Sequence, residues 1–243
     1  MDGALVSDLT IQGTNLTRNT QKGALANDIR NSIVEDIGVK DLTIQNDANQ
    51  TGGLAGTISN SEIRRISAEN LSIRSNNTIG GIAGQFDGRI MEDCIVTGSI
   101  EGTSSHQMGA RIGGITGWQG GGIMRRVATK VSITAPDPVG NGGIIGGPQS
   151  GSATVESAVS LSTGANANRI SGWDVLGITS SAYELETSDS QSNMNETNTD
   201  RVFSVTEEQT KEKAFYTEIL GWSEDVWSFD NLAADGIPAL KML

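Results

Sequence analysis

The sequence is poor in the residues that most catalytic and metal-binding sites require. Its 243 residues include one cysteine, Cys94, and one histidine, His106. A single cysteine excludes an intrachain disulfide framework and any zinc or iron–sulfur site that needs several thiolates. A single histidine excludes every motif that needs two, including the His-Glu-x-x-His helix of zinc proteases. We therefore expect no catalytic residue, no cofactor and no metal site in this chain.

Long apolar runs, basic charge and export signals are also scarce. No stretch approaches 18 apolar residues, so a membrane-spanning helix is not predicted. Seventeen basic against 29 acidic residues give a formal net charge of −12, which argues against nucleic acid or an anionic membrane as a partner. The N-terminus lacks the layout of a signal peptide. We expect a monomer that is either cytosolic or an excised piece of a longer protein.

Glycine, in contrast, is abundant and periodic. The 31 glycines accompany only four prolines, which argues against collagen and against proline-rich disorder. Blocks of the form Gly-Gly-x-x-Gly occupy 52–56, 80–84, 113–117 and 142–146, and a weaker copy occupies 23–27. The central apolar residues of the five blocks are 29, 28, 33 and 29 residues apart. A near-fixed period of this size is typical of a solenoid.

The segments between the glycine blocks predict β-strands. Residues 37–44 (I-x-V-x-x-L-x-I) match 66–73 (I-x-A-x-x-L-x-I), and we align 4–11 (A-x-V-x-x-L-x-I) in the same register. Such short, β-branched, alternating runs are typical of strands, and strands repeated once per coil stack in parallel about 4.8 Å apart. The predicted fold is all-β: a right-handed parallel β-helix (β-solenoid) of about six coils. One inward column should contain Ala4, Ile37, Ile66, Cys94, Val127 and Ala158.

The two residues before that column change sign from one coil to the next. They are Glu35-Asp36, Arg64-Arg65, Glu92-Asp93, Arg125-Arg126 and Glu156-Ser157. If the register is right, acids stack on bases along one outer face, where each cross-strand pair of opposite charges contributes about 0.2–1 kcal/mol. We interpret this charge ladder as pairing between coils, and a polar binding stripe is the alternative interpretation.

The repeat divides the chain into three parts. Residues 1–185 are predicted to form the solenoid, 186–201 a polar loop or linker, and 202–243 a C-terminal capping segment. Thr206 is a plausible helix N-cap, and five of the ten aromatic residues follow position 210. We expect this segment to fold back as a cap on the solenoid or to complete a mixed terminal subdomain, with its aromatic side chains buried. A stacked-aromatic carbohydrate platform is the alternative.

Four residues are the candidates for contact with a partner. His106 and Arg111 lie in the segment 102–111 of the longest repeat, where an insertion forms a loop, and loops commonly carry binding residues. Trp118 and Trp173 supply aromatic surface. The partner they suggest is a host glycoprotein or a glycan.

The remaining chemistry-bearing residues are interpreted as structural. Cys94 falls in the inward column and is predicted to be a small buried hydrophobe. The glycine blocks lack the Gly-x-Gly-x-x-Gly spacing of a nucleotide site. Asp36 and Asp93 lie two coils apart, near the separation of a glycosidase pair, but Arg65 is predicted between them. A β-helix polysaccharide lyase or hydrolase stays open as a further alternative.

The glycine blocks, each followed by Ser-x-Ile or Gly-x-Ile and alternating apolar residues, resemble the GLUG repeat of bacterial surface proteins. Residues 1–175 are also similar to the repeat-bearing N-terminal region of the immunoglobulin-A-cleaving zinc metalloproteases of Gram-positive surfaces. Residues 215–241 resemble the segment that often closes GLUG arrays. The resemblance implies an extracellular, surface-attached, non-catalytic scaffold, adhesion or substrate-positioning domain with a zinc peptidase domain further along the polypeptide. Because this chain has no zinc-binding helix, no catalytic residue is carried over.

Overall fold

The predicted parallel stacking of strands is confirmed. A computed structural model describes residues 1–20, 22–104, 110–136, 140–148, 153–164, 170–172, 181–186 and 202–241. They form a parallel β-solenoid of about five turns, against the six coils predicted, with a few short helices near the C-terminus. Within the described part of the chain, every strand pairing is parallel except one two-residue antiparallel pair in the C-terminal region.

Three parallel sheets form the walls of the solenoid. The main sheet contains β1 (Leu5–Gln12), β4 (Ile33–Lys40), β8 (Glu62–Ser75), β11 (Ile90–Gly102), β14 (Ile123–Thr134), β18 (Ala158–Ser160), β19 (Ala182–Leu185) and β20 (Val202–Val205), with β2 (Asn15–Leu16), β5 (Thr43–Gln45) and β17 (Thr154–Glu156) beside this path. The second contains β3 (Ala26–Arg30), β7 (Ala55–Ser59), β10 (Ala83–Asp87), β13 (Thr116–Gln119) and β16 (Ile145–Pro148). The third contains β6 (Gln50–Gly52), β9 (Thr78–Gly80), β12 (Arg111–Gly113) and β15 (Asn141–Gly142).

The inward column of the main sheet has the predicted register in all coils but the first. Ile37 pairs with Ile66, Ile66 with Cys94, and Cys94 with Val127. These side chains and that of Ala158 are fully buried. Small and medium-sized apolar side chains therefore stack on one another along this column.

The predicted register of the first coil is wrong by five residues. Leu9, rather than Ala4, pairs with Ile37, and Val6 pairs with Val34. In each coil the side chains that point inward are separated alternately by two residues and by one residue. This pattern nearly superposes on itself when the sequence is shifted by five residues. Hydrophobic periodicity alone therefore does not distinguish the two alignments.

A left-handed residue explains the irregular spacing in each strand of the main sheet. Val34 and Ile37 both point inward although two residues separate them, which simple alternation does not allow. The second of those two residues has a φ of 48–55° in every coil, and this column consists of Asp8, Asp36, Arg65, Asp93, Arg126 and Ser157. The strand bends there, so two consecutive side chains point outward before the alternation resumes.

The glycine blocks exist because the backbones of adjacent segments approach one another. A Cβ on Gly81 would overlap the carbonyl oxygen of Gly114, and one on Gly114 would overlap that of Gly143. Neither Gly81 nor Gly114 has a positive φ. Close approach of neighbouring backbones, rather than left-handed geometry, therefore accounts for glycine at these two positions.

The C-terminal segment, defined as residues 206–241, contains the short helices. They are α1 (Glu207–Thr210), a π-helical turn (Phe215–Ile219) and α2 (Leu232–Asp235), and β21 (Trp227–Ser228) pairs with β22 (Ala239–Leu240). Thr206 is the expected N-cap: its Oγ1 accepts a hydrogen bond from the Gln209 backbone N–H at 3.2 Å, and the Gln209 side chain accepts one from the Thr206 N–H at 2.9 Å. This capping box starts the segment.

The C-terminal segment packs on the lateral outer face of the main sheet. Its aromatic side chains cover Ile95, Ala128 and Val159, three outward residues of β11, β14 and β18 that form a second hydrophobic cluster. Trp222 and Trp227 stack with ring centroids 4.3 Å apart and are both buried. The aromatic residues are therefore packing groups, as expected, and do not form an open carbohydrate platform.

Candidate functional site

The charge ladder on the main sheet is present as predicted. Glu92 lies at its centre and is paired with both neighbouring coils. Its Oε1 is 2.9 Å from Arg64 Nε, and its Oε2 is 2.7 Å from both Arg125 Nε and Arg126 Nη2. Three arginines therefore share one carboxylate that is only 8% exposed.

Each acid of the ladder that has left-handed backbone geometry forms hydrogen bonds with an arginine of the same column. Arg65 donates from Nε and Nη2 to the two oxygens of Asp36, both at 2.6 Å. Arg126 binds Asp93 in the same way, at 2.7 and 2.8 Å. An arginine with positive φ is uncommon, and a two-point bond to a carboxylate offsets the strain of that backbone geometry.

The electrostatics of the ladder agree with this geometry. Burial would raise the pKa of Glu92, but the hydrogen bonds from Arg125, Arg126 and Arg64 more than compensate, so its pKa is lowered. The hydrogen bonds to Asp36 and Asp93 raise the pKa of Arg65 and of Arg126, respectively. These shifts favour the charged forms of Glu92, Arg65 and Arg126.

Asp36 and Asp93 do not form a glycosidase pair. Asp36 is occupied by Arg65, which lies between the two carboxylates as the sequence predicts. Asp93 accepts hydrogen bonds from Arg126 and from Trp227 Nε1, the latter at 3.1 Å. Both carboxylates are less than 10% exposed. A general acid or base must reach substrate, and neither of these groups does.

The bond between Trp227 and Asp93 was not predicted from the sequence. It joins residues 134 positions apart and fixes the C-terminal segment to the ladder. A second indole bond, from Trp222 Nε1 to the Ser157 carbonyl at 3.0 Å, attaches the same segment two coils further along. No periodic signal links an aperiodic tail to a repeat, so sequence patterning does not reveal such contacts.

Arg111 and Trp118, two of the four predicted contact residues, lie together. The Arg111 guanidinium carbon is 4.3 Å from the centroid of the Trp118 ring, a cation–π contact. Burial lowers the pKa of Arg111. A Cβ on Gly147 would lie 3.4 Å from the indole and 3.2 Å from Arg111 Cδ, so that glycine makes room for the pair. His106 and Trp173 lie outside the described residues.

Trp118 belongs to an outward polar column of the second sheet. Register places Asp28, Thr57 and Gln85 in line with it, and all four side chains are partly exposed. Gln85 Nε2 donates to Asp87 Oδ2 at 2.6 Å. This column, called here the Trp118 face, combines one indole with amide, hydroxyl and carboxylate groups.

An open groove of about 340 Å³ lies on another side of the solenoid. Its wall includes the ion pair Arg74–Glu101, at 3.0 Å, together with Thr103 and Pro136. Both charged side chains of this pair are about half exposed. The groove borders the beginning of the segment 102–111 but does not contain Arg111 or Trp118.

Cys94 is the buried hydrophobe that the sequence predicts. Its thiol is fully buried and donates to the Glu92 carbonyl at 3.2 Å. Burial raises the pKa of the thiol, so it is not a nucleophile at neutral pH.

Among the described residues, no group of three or more histidine, cysteine, aspartate and glutamate side chains could hold a metal ion, and no helix is long and apolar enough to cross a membrane. Comparison of the chain with family models, with curated proteins and with solved structures finds no match.

Proposed function

We propose that this chain is a non-catalytic scaffold, adhesion or substrate-positioning module of a bacterial cell-surface protein. The observation that carries this proposal is the charge ladder, because its carboxylates and guanidinium groups are consumed in joining one coil to the next. A stack of coils joined in this way is a rigid spacer with lateral faces for contact. The GLUG-like glycine blocks support the surface context and suggest a zinc metalloprotease as the attached enzyme.

Two measurements test this proposal. Antibodies against the purified chain should label intact, unpermeabilised cells of the producing organism, and the chain should release no reducing ends from acidic polysaccharides. Labelling only after permeabilisation would contradict the surface location. Saturable release of reducing ends would contradict the scaffold and favour a β-helix lyase or hydrolase.

The Trp118 face supports a second candidate function, the binding of a glycan or host glycoprotein. Indole rings stack on sugar faces while neighbouring polar groups bond to hydroxyls, and Trp118 lies beside Gln85 in this arrangement. Arg111 adds a cation that would favour an acidic sugar. This second candidate predicts a specific contact, between the Trp118 ring and a sugar of the ligand.

A glycan array probed with the wild-type chain and with Trp118→Ala tests this candidate. We expect a saturable signal that Trp118→Ala reduces by about tenfold, the loss expected from one stacking contact of about 1–1.5 kcal/mol. The matched control is Thr57→Ala, two coils away in the same column, which should leave binding within about twofold. Equal binding by wild type and Trp118→Ala would contradict a role for this face.

A further inference from the structure

The open groove beside Arg74 and Glu101 arises where two neighbouring coils stop pairing. On one side of β11, pairing continues past the end of the strand, because the Thr103 N–H donates to a carbonyl of the preceding coil at 2.8 Å. On the other side, the register between β11 and β14 ends at Glu101 and Thr134. Pro136 follows, and a proline has no N–H with which to extend a ladder. The two coils therefore separate here and leave a groove of about 340 Å³.

The wall of the groove carries hydrogen-bonding atoms that the protein does not use. Arg74, Glu101 and Thr134 lie in register on three consecutive coils, so the first and the third are about 10 Å apart. The pair Arg74–Glu101 has one hydrogen bond, from Nε to Oε1 at 3.0 Å. Within the described part of the chain, Arg74 Nη1 and Nη2, Glu101 Oε2 and the Thr134 hydroxyl make no hydrogen bond. Donors and acceptors therefore lie side by side along the wall.

The arginines of the charge ladder are different. Arg65 forms two hydrogen bonds of 2.6 Å with Asp36, which occupy both oxygens of a buried carboxylate. The side chains of Arg74 and Glu101 are 46% and 50% exposed, so solvent reaches their remaining bonding positions. A ligand hydroxyl can take these positions from water without leaving a buried polar group unsatisfied.

The chemistry of the wall favours a neutral saccharide. Adjacent hydroxyl groups of a sugar ring each donate and accept hydrogen bonds, which suits a guanidinium beside a carboxylate. Arg74 and Glu101 neutralise each other in a chain of net charge −12, so an acidic ligand is not favoured. Pro136 and Ala135 offer apolar surface to the C–H face of a ring. They are the only apolar side chains among the described lining residues, which makes a peptide the less suitable occupant.

We infer that this groove, defined by Arg74, Glu101, Thr134 and Pro136, binds neutral saccharides of one or two rings through adjacent hydroxyl groups. The Arg74 guanidinium donates to one hydroxyl oxygen, and Glu101 Oε2 accepts from the neighbouring hydroxyl. Thr134 bonds to the next ring, and Pro136 packs against a C–H face. The volume is at the lower end of the range for small-ligand sites, about 300–1,000 Å³. The groove is separate from the Trp118 face, which belongs to the second sheet, and does not depend on it.

The test is an amide NMR titration of the intact, isotope-labelled chain. The probes are the methyl glycosides of glucose, galactose, mannose and N-acetylglucosamine, added one at a time. We expect at least one of them to bind saturably and to move the backbone signals of Gly102, Thr103 and Thr134, which border the groove. The position of the shifts identifies the site independently of any variant.

Two variants test the named side chains. Arg74→Ala and Glu101→Ala should each weaken the binding at least about tenfold, the effect of losing a hydrogen bond to a charged group. The matched control is Glu69→Ala, which removes the similarly exposed pair Lys40–Glu69 on the same sheet and should leave binding within about twofold. The dispersion of the amide signals shows that each variant is folded.

Several results would overturn the inference: no saturable shift with any of the four glycosides, or unchanged affinity in a folded Glu101→Ala variant. Tighter binding of glucuronate than of methyl glucoside, or binding of trialanine in place of the glycosides, would assign the groove to another ligand class. Trp118→Ala separates the two faces. If it abolishes the shifts, the sugar binds at the Trp118 face and the groove is not the site. If Trp118→Ala leaves the glycan-array signal unchanged while the groove shifts persist, only the second candidate function is wrong.

Discussion

The solenoid interior and the cluster beneath the C-terminal segment are both hydrophobic, yet they contain different side chains. The interior is filled by aliphatic residues in columns, such as Ile37 and Ile66, with Phe86 as its one buried aromatic residue in the described part of the chain. The lateral cluster contains Trp222, Trp227 and other aromatic rings packed edge to face or stacked. Each inward column contains one small side chain in every coil. The C-terminal segment crosses several coils only once, so its few residues must each bury a large apolar area.

This difference predicts two modes of failure. A change in the interior should weaken the whole stack, because every coil depends on its neighbours. A change in the lateral cluster should release the C-terminal segment and leave the stack folded. The four predictions that follow test this contrast, from the largest expected effect to the smallest.

Trp227→Ala should have the largest effect, a loss of about 3–5 kcal/mol from the packing of the C-terminal segment. The variant loses the stack on Trp222 and the bond to Asp93. Amide hydrogen exchange followed by mass spectrometry should show residues 206–241 deprotected while β8 and β11 stay protected. Simultaneous deprotection of both regions would mean that the two clusters fold as one unit.

Ile66→Ala should cost about 2–4 kcal/mol in the free energy of unfolding, because it leaves a cavity in a fully buried column. The matched control is Leu9→Ala in the same column, which should cost less than about 1 kcal/mol because Leu9 is already exposed. Urea denaturation measures both values. Equal losses would contradict this dependence of the loss on burial within the column.

Glu92→Gln should cost about 2–3 kcal/mol, since it leaves three arginines around a neutral amide. Glu101→Gln is the control, because the Arg74–Glu101 pair is about half exposed and should contribute less than about 1 kcal/mol. Chemical denaturation at neutral pH compares them. A Glu92 variant as stable as the Glu101 variant would show that the ladder is incidental to stability.

The pH dependence of Glu92 should give the smallest effect. The pKa of its carboxyl is lower in the folded chain than its ordinary value of 4.5. Its contribution to stability is therefore complete above pH 4.5 and is lost as the pH falls through the lowered pKa. The difference in Tm between wild type and Glu92→Gln should stay constant from about pH 7 to about pH 5 and shrink as the pH falls further. A constant difference would contradict this assignment.

Periodic features of the molecule were predictable from the sequence, and aperiodic ones were not. The Ile37 column and the alternating charges of Arg65 and Asp93 follow from stacking identical coils, so one correct register gives them all. The register of the first coil was wrong because its hydrophobic pattern nearly repeats after five residues.

The candidate contact residues show the same division. Arg111 and Trp118 are separate candidates in the sequence of one repeat, and the structure brings them into a single cation–π contact. The attachment of Trp227 to Asp93 depends on how a non-repeating tail crosses the sheet. That path is set by tertiary packing and has no local signature in the sequence.

The central claim is that ion pairs between stacked coils make this chain a structural module. Its most direct test exchanges the two charges of one pair in the charge ladder. Asp36→Arg and Arg65→Asp should each cost about 1–3 kcal/mol of unfolding free energy. The account predicts that the double variant regains at least half of the summed loss, because the pair is restored with its signs exchanged. Losses that simply add in the double variant would contradict the ladder as the element that joins the coils.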